Sequence, residues 1–348
     1  TTGGIQRMNL TLHTSFAELD EAEWNALLSE SITHVPFLRC EYQRAWWNTR
    51  GGGEWPENAS LALVAARRDG RLVGVAPLFH APDHQGRPAL MLVGSVEISD
   101  YLDLIARPED LEAFVEALLP FLRQAGLPDW QALDLYNLLD SSPTRAVLEK
   151  TAGKLGWGCQ TEKLQHSPYI PLPGDWDQYL AGIDKKQRHE IRRKMRRAGD
   201  GMYRVDWYIV EDADRLEEES AAFIEMMAQD PAKQAFLTPA MREAMQEIMR
   251  CAFEAGWLHL AFLTFDDMRA AGYLSFRYLN RLWVYNSGMD TRFSAYSPGW
   301  VLLGLLLQWA NENGLKEFDF LRGDEEYKYR FGAVDRSVMR VTLRPDGE

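Results

Sequence analysis

The chain has 348 residues, 46% of them hydrophobic and 26% charged, which suits a soluble globular protein of one large or two ordinary domains. Its net charge of -13 argues against general affinity for nucleic acid or anionic membrane, and leaves only a local basic patch to hold anions. Cys40, Cys159 and Cys251 lie far apart and form no CxxC pair, so neither a disulfide framework nor a zinc site is expected, and a reducing, cytoplasmic compartment fits.

Thr1-Thr2-Gly3-Gly4 reads as a cloning remnant, and no signal peptide is evident. The first strand signal is Leu61–Ala66, followed by a turn over Arg67–Arg71 and a return strand over Leu72–Leu78. A further strand at Ala89–Val93, a helix over Glu109–Gln124 and a strand at Ala132–Tyr136 complete this half. In the helix, Leu111, Phe114, Val115, Leu118, Leu119 and Leu122 recur at the helical period. Tyr169–Trp176 is punctuated by Pro171, Pro173 and Gly174 and marks a crossing. Next comes a basic helical run, Lys185–Arg197, with a narrow apolar stripe of Ile183, Ile191 and Met195. Helices over Ala213–Gln229 and Pro239–Glu254 follow.

The second half repeats the outline of the first. Leu258–Phe265 and Ala270–Phe276 form a hairpin around Asp266–Arg269, with Gly272 read as the counterpart of Gly74. Leu282–Asn286 is the next strand, Gly299–Asn313 a helix closed by Gly314, and Glu317–Phe320 the last strand. The apolar stretch Trp300–Leu307 is too short to span a bilayer and reads as a buried helix. Hairpin, strand, helix, strand occurs twice, which predicts an internal duplication within an α/β (α+β mixed sheet) fold.

The final strand runs into Leu321-Arg322-Gly323-Asp324-Glu325-Glu326-Tyr327-Lys328, a strand end that breaks at a glycine and delivers an acid, a tyrosine and a lysine. The repeated unit together with this ending resembles the GNAT acyltransferase fold in tandem. It is similar to the CelD/BcsL-type acetyltransferases linked to cellulose and exopolysaccharide biosynthesis, and related in architecture to the Fem-type aminoacyltransferases. Pro36-Phe37-Leu38, Trp46-Trp47 and Ser99-Asp100-Tyr101-Leu102-Asp103 match the same outline, and the resemblance spans about residues 10–343.

The resemblance implies two GNAT-like domains, 10–165 and 166–345, around a cleft. The second would carry the donor site and the basic helix 185–197. It implies acyl transfer from acyl-CoA to an amine or sugar-linked acceptor, with no metal. Asp324, Tyr327 and Lys328 can serve as base, proton donor and charge stabiliser. They can equally form a solvated acidic turn with Lys328 in a surface ion pair. Tyr285, Asn286, Ser297, Gly299 and Trp300 are the expected donor-binding residues. Only Gly299 resembles the family's glycine-rich phosphate loop, and Pro298 has no N–H to give. Asp100, Tyr101, Asp103, Asp290 and Arg322 are the candidates for holding the acceptor. For Asp100–Asp103 the plain alternative is an exposed strand face, and for Asp290 it is turn chemistry.

Arg188, Arg192 and Arg196 share one helical face that can contact a polyanion, be merely solvated, or pair with the acidic segment 211–219. A tRNA-dependent aminoacyl transfer and a non-catalytic scaffold role are the alternative functions. The histidines show no metal-ligand spacing, and there is no GxSxG elbow or Walker loop.

Overall fold

Both hairpins form where apolar strands meet a two-residue turn with left-handed backbone. Asp69 and Gly70 have φ 53° and 76°, and Asp266 and Asp267 have φ 47° and 62°. This backbone matches the twist of paired strands. The protein is described as a computed structural model over residues 7–347, so Thr1–Gly4 lies outside the described residues. The chain divides into two units: residues up to 165 together with those from 337 onward, and His166–Arg336.

The first unit comprises β1 (Asn9–His13), α1 (Glu21–Ser29), α2 (Cys40–Gly53), β2 (Ser60–Arg68), β3 (Arg71–Pro82), β4 (Pro88–Leu92), β5 (Ile105–Ala106), α3 (Leu111–Gln124), β6 (Ala132–Leu139), α4 (Thr144–Leu155) and β7 (Gly158–His166). The second comprises β8 (Tyr169–Pro171), α5 (Trp176–Ala181), α6 (Lys185–Ala198), β9 (Val205–Ile209), α7 (Leu216–Met227), α8 (Pro231–Phe236), α9 (Pro239–Glu254), β10 (Leu258–Phe265), β11 (Met268–Tyr278), β12 (Arg281–Met289), α10 (Pro298–Glu312), β13 (Glu317–Asp319) and α11 (Glu326–Arg330). The last strand, β14 (Ser337–Arg344), returns to the first sheet.

The first sheet runs β1-β2-β3-β4-β6-β14-β7, with β5 on β3, and the second runs β8-β13-β12-β11-β10-β9. Each has a parallel pair at the same place, β4 with β6 and β12 with β13. Residues 337–345, expected in the C-terminal domain, thus belong with the first unit. Arg340 reaches from β14 to both oxygens of Asp134 on β6, at 2.9 and 2.7 Å.

The repeat is one of outline rather than of detail. A Cβ on Gly74 would meet the Phe114 ring of α3 at 2.9 Å, and one on Gly272 would meet Phe223 of α7 and Phe262 at 3.0 Å. The two glycines therefore serve different helices, α3 following its hairpin and α7 preceding its own. The reason is register: side chains alternate between sheet faces, so an odd offset from the turn reverses the face.

In the second unit the alternation of β10 and β11 feeds two layers. Ala261, Leu263, Phe265, Ala271 and Tyr273 join Leu302, Leu303, Leu306 and Leu307 of α10 in one core. Phe262 lies on the other side beneath α7. The α10 helix is apolar around most of its circumference because the sheet covers one side and α6 another. Gly304 allows this approach, its missing Cβ lying 3.2 Å from the Met195 sulfur of α6. The stripe of α6 consists of buried Ile191 with Ile183 and Met195 packed beside it. Among the described residues no helix is long and apolar enough to cross a membrane.

Candidate active site

The parallel ladder between β12 and β13 is short. It pairs Arg281–Trp283 with Glu317–Asp319 and ends there. β12 runs on to Met289, whereas the other chain turns away through Leu321 and Gly323, with φ 61° and 118°. On its other edge β12 is bulged. Leu274 faces Asn286 and Ser275 faces Val284, so Tyr285 is the extra residue. A bulge re-aims side chains and local backbone at a strand end. Tyr285 packs on Phe276 with ring centroids 5.2 Å apart, and the Asn286 carboxamide accepts from the Ser287 N–H at 2.9 Å.

The helix after β12 presents its N-terminus on this side of the sheet. Ser297 is its N-cap in a left-handed conformation (φ 49°, ψ 53°), and no side chain caps the first turn. First-turn N–H groups have no partner within their own helix, so those of Gly299 and Trp300 suit a phosphate oxygen, while Pro298 contributes none. A Cβ at Gly299 would lie 2.5 Å from the Met289 sulfur, so Met289 sits over the helix start. Trp300 is held by Phe331 (centroids 5.0 Å apart) and carries Lys194 Nζ 3.6 Å from its ring centroid.

The turn after β13 is built around Lys328. This lysine is only 4% exposed, and its Nζ donates to the carbonyls of Arg322 (3.3 Å) and Gly323 (3.2 Å) and pairs with Glu325 Oε2 at 2.8 Å. A side chain at Gly323 would collide with the same carboxylate, 2.5 Å away. Burial pushes the Glu325 carboxyl up, but the Lys328 hydrogen bond outweighs it and holds the group below its ordinary value. Lys328 therefore anchors the turn from a buried position, pairing with a Glu325 whose carboxylate reaches water, and Asp324 is exposed beside it. Arg322 is half-buried and contributes its carbonyl to that anchor.

Tyr327 packs edge-on against Phe320 (5.8 Å) and Phe331 (6.4 Å). Burial, then the Glu325 charge, pushes its phenol up to about 12. Burial likewise raises the Tyr273 phenol, reinforced by Tyr327 and opposed by a hydrogen bond from the Ser287 side chain. Lys233 of α8 donates to the Ser287 carbonyl at 2.5 Å, and burial lowers its pKa against the pull of Asp230 and Glu325. The structure thus gathers Tyr273, Ser287, Tyr327, Glu325 and Lys233 at the open end of β12. Tyr273, Ser287 and Lys233 were not anticipated. Ser287-Gly288 two residues beyond the bulge was a readable signal, since Gly288 passes the α7 backbone so closely that a Cβ would lie 2.7 Å from the Met227 nitrogen. Nothing in the sequence around Lys233 marks it.

The remaining candidates have other employment. Asp290 caps the turn at 291–296 and is bound by the Arg292 guanidinium at 2.7–3.1 Å, which holds its carboxyl below the usual range. Asp103, in the first unit, is wholly buried. It accepts from Thr33 (2.7 Å), Ser142 (2.6 Å), Thr144 (2.6 Å) and the Leu104 N–H (2.8 Å), and burial raises its pKa despite those donors. It is a structural knot between a loop and the start of α4. Asp100 and Tyr101 are buried in the same unit, Tyr101 edge-on to Phe37 at 6.4 Å, so the exposed-face alternative does not describe them.

On α6, Arg188 donates to the Leu180 carbonyl at 3.2 Å, whereas Arg192, Arg196 and Arg197 are exposed and form no ion pair among the described residues. The acidic segment is not their partner: Glu219 is paired with Arg215 (3.3 Å) and Arg269 (3.1 Å). No group of three or more His, Cys, Asp or Glu among the described residues is placed to hold a metal.

Residues 185–329 match the family described as acetyltransferase (GNAT) domain. No curated protein matches the chain. Among solved structures, the chain is similar to FemX at 12% identity, covering 96% of each chain with a TM-score of 0.65. It is similar to L-PGS from Bacillus licheniformis at 12% identity, covering 94% of this chain and 92% of that one with a TM-score of 0.57. A tandem GNAT protein from the clavulanic acid biosynthesis pathway aligns at 12% identity over 96% of this chain and 98% of its own, with a TM-score of 0.50. At such identities the likeness is one of fold. The diverging parallel pair, the bulge beside it and the helix that opens next to both lie inside the matched segment, and the second unit is a GNAT acetyltransferase domain in a chain of tandem-GNAT fold, an acyltransferase.

Proposed function

We propose that the second unit transfers an acyl group from an acyl-CoA thioester to an amine. The observation that carries this reading is the parting of β12 from β13 after Trp283 and Asp319, beside the bulged Tyr285. A strand end released from its parallel neighbour suits an extended, amide-bearing ligand, which adds to the sheet through backbone hydrogen bonds. The first turn of α10, with Ser297, Gly299 and Trp300, offers free N–H groups and a helix dipole suited to drawing the phosphates of such a donor.

Chemistry follows from the phenols. The amine nitrogen attacks the thioester carbon, negative charge develops on the carbonyl oxygen, and the carbon–sulfur bond breaks. The departing sulfur needs a proton, and Tyr273 and Tyr327, both held protonated far above neutral pH, are suited to give one or to steady the oxyanion. Asp324, exposed in the turn after β13, is the residue we assign to take the proton of the amine. Lys328 supports this arrangement by fixing the turn. The resemblance of the closing motif to CelD/BcsL-type proteins favours an acceptor in envelope or exopolysaccharide synthesis and action in the cytoplasm.

A second reading, an aminoacyl-tRNA donor, is favoured by the unpaired Arg192, Arg196 and Arg197 and opposed by the net charge of -13. One experiment separates them. Release of free coenzyme A from acyl-CoA is followed with a thiol reagent across a panel of amines and amino sugars. The expected result is amine-dependent release, lowered roughly 100-fold or more by Tyr327→Phe, with donor affinity lost in Gly299→Trp. No calorimetric binding of acyl-CoA, together with salt-sensitive binding of aminoacyl-tRNA, would overturn the first reading in favour of the second.

A further inference from the structure

Beside the start of α10 lies a hollow of about 510 Å³ that the reading above does not use. One face of α6 lines it with Lys186, Gln187, Glu190 and Lys194, and Trp300 and Arg330 close it from α10 and α11. Gln187 is 7% exposed, and its side-chain nitrogen is buried with no hydrogen-bond partner. A buried amide donor left unpaired is costly, and such a group in a folded protein points to a missing acceptor.

The charges around it favour an anion. Lys186 makes no ion pair among the described residues. Lys194 is shared between Glu190 at 3.5 Å and the Trp300 ring. The two acids of the lining are already committed. Asp184 caps α6 through the N–H groups of Lys186 (2.9 Å) and Gln187 (3.2 Å). Glu190 is bound on both oxygens by Arg193, at 3.0 and 2.7 Å. Arg330 is paired with Glu326 at 2.7 Å and brings a third cation to the rim. One donor with no acceptor and a surplus of ammonium groups match a tetrahedral, oxygen-rich anion. This face of the helix is separate from the one bearing Arg192 and Arg196.

We propose that this hollow between α6 and α10 binds a phosphate monoester, with Gln187, Lys186 and Lys194 as its ligands. That the phosphate is the donor's own, the 3′-phosphate of coenzyme A, rests on the acyl-CoA reading and on Trp300 being shared by the hollow and the donor helix. The alternative source is a free or acceptor-borne phosphate.

The test is calorimetric binding of coenzyme A, dephospho-coenzyme A and inorganic phosphate to the whole chain and to Gln187→Leu and Lys186→Met. Gln187→Leu removes an unpaired amide, so its thermal midpoint should hold or rise, which keeps loss of binding distinct from loss of folding. For the donor source, the parent should prefer coenzyme A over dephospho-coenzyme A by roughly 10- to 100-fold, the range of a few charge-assisted hydrogen bonds. That preference should collapse in both variants. Equal binding of the two cofactors by the parent, with inorganic phosphate still bound and lost in the variants, assigns the site to another phosphate. Failure of both cofactors to bind sinks the acyl-CoA reading while leaving the phosphate arm to decide the hollow. No phosphate binding by the parent and no cofactor preference, or a preference that survives both substitutions, overturns the site.

Discussion

Lys328→Met separates an anchoring role from a catalytic one. In the parent, the ammonium satisfies two backbone carbonyls and one carboxylate from a position that is 4% exposed. Each carbonyl that loses its donor costs about 1 kcal/mol. Breaking a fully buried pair would add about 3–5 kcal/mol, but the Glu325 side chain is 59% exposed and water recovers most of that. A loss of about 2–3 kcal/mol follows, or roughly 5–10 °C in the midpoint of a unit of this size. The assay is urea unfolding alongside thermal melting, with turnover measured well below the lowered midpoint. The reasoning fails if the variant melts within about 1 °C of the parent while turnover falls 100-fold, because the lysine would then act on the reacting groups and not on the turn.

Gly288→Ala should destabilise by about 1–3 kcal/mol, seen as a lower denaturation midpoint, because its new methyl would meet the Met227 backbone at 2.7 Å and backbone cannot step aside as a side chain can. Gly299→Ala meets only the flexible Met289 sulfur, so its midpoint should stay within about 0.5 kcal/mol of the parent by the same measurement. His259 is buried against Trp309, and burial lowers its pKa to about 4. The unfolded chain takes up its proton near pH 6.5 while the folded one resists until about 4. Stability is therefore full above about pH 6.5 and falls by up to about 3 kcal/mol as pH drops to 4. His259→Phe should remove that part of the acid sensitivity, measured as midpoint against pH.

Much of the fold was legible because its signals are local. The two hairpins were marked by turn residues, α10 by its unbroken apolar run, and α6 by a basic helical run and a stripe that needed no tertiary knowledge. The site was legible in part. The Gly323 turn and the helix start at Gly299 announced themselves, but the role of Lys328 did not, since a lysine two residues after a run of three acids looks the same whether it faces water or three carbonyl and carboxylate oxygens. Tyr273 could not be told from a core aromatic by alternation, because its hydroxyl matters only through Ser287 and Tyr327, which lie on other elements. Lys233 reaches the site across a tertiary contact with no trace in its neighbours. Strand exchange is invisible for the same reason: Ser337–Arg344 alternates like any strand, and nothing in it says which sheet it will join.

The place of β14 between β6 and β7 sets an order of events during synthesis. β7 reaches the rest of its sheet only through β14, and β14 is the last strand to be made. At typical elongation of about 5–20 residues per second, the roughly 170 residues in between delay its arrival by about 10–35 seconds. Through that interval the nascent first unit carries an unsatisfied β6 edge and a detached strand, the condition in which chaperone capture and mispairing occur. A stop codon anywhere before residue 337 would therefore leave the N-terminal sheet with an open β6 edge and β7 without its neighbour, besides removing the C-terminal tail, and a stand-alone first unit has to be expressed with 337–347 supplied, either fused after 165 or as a second chain.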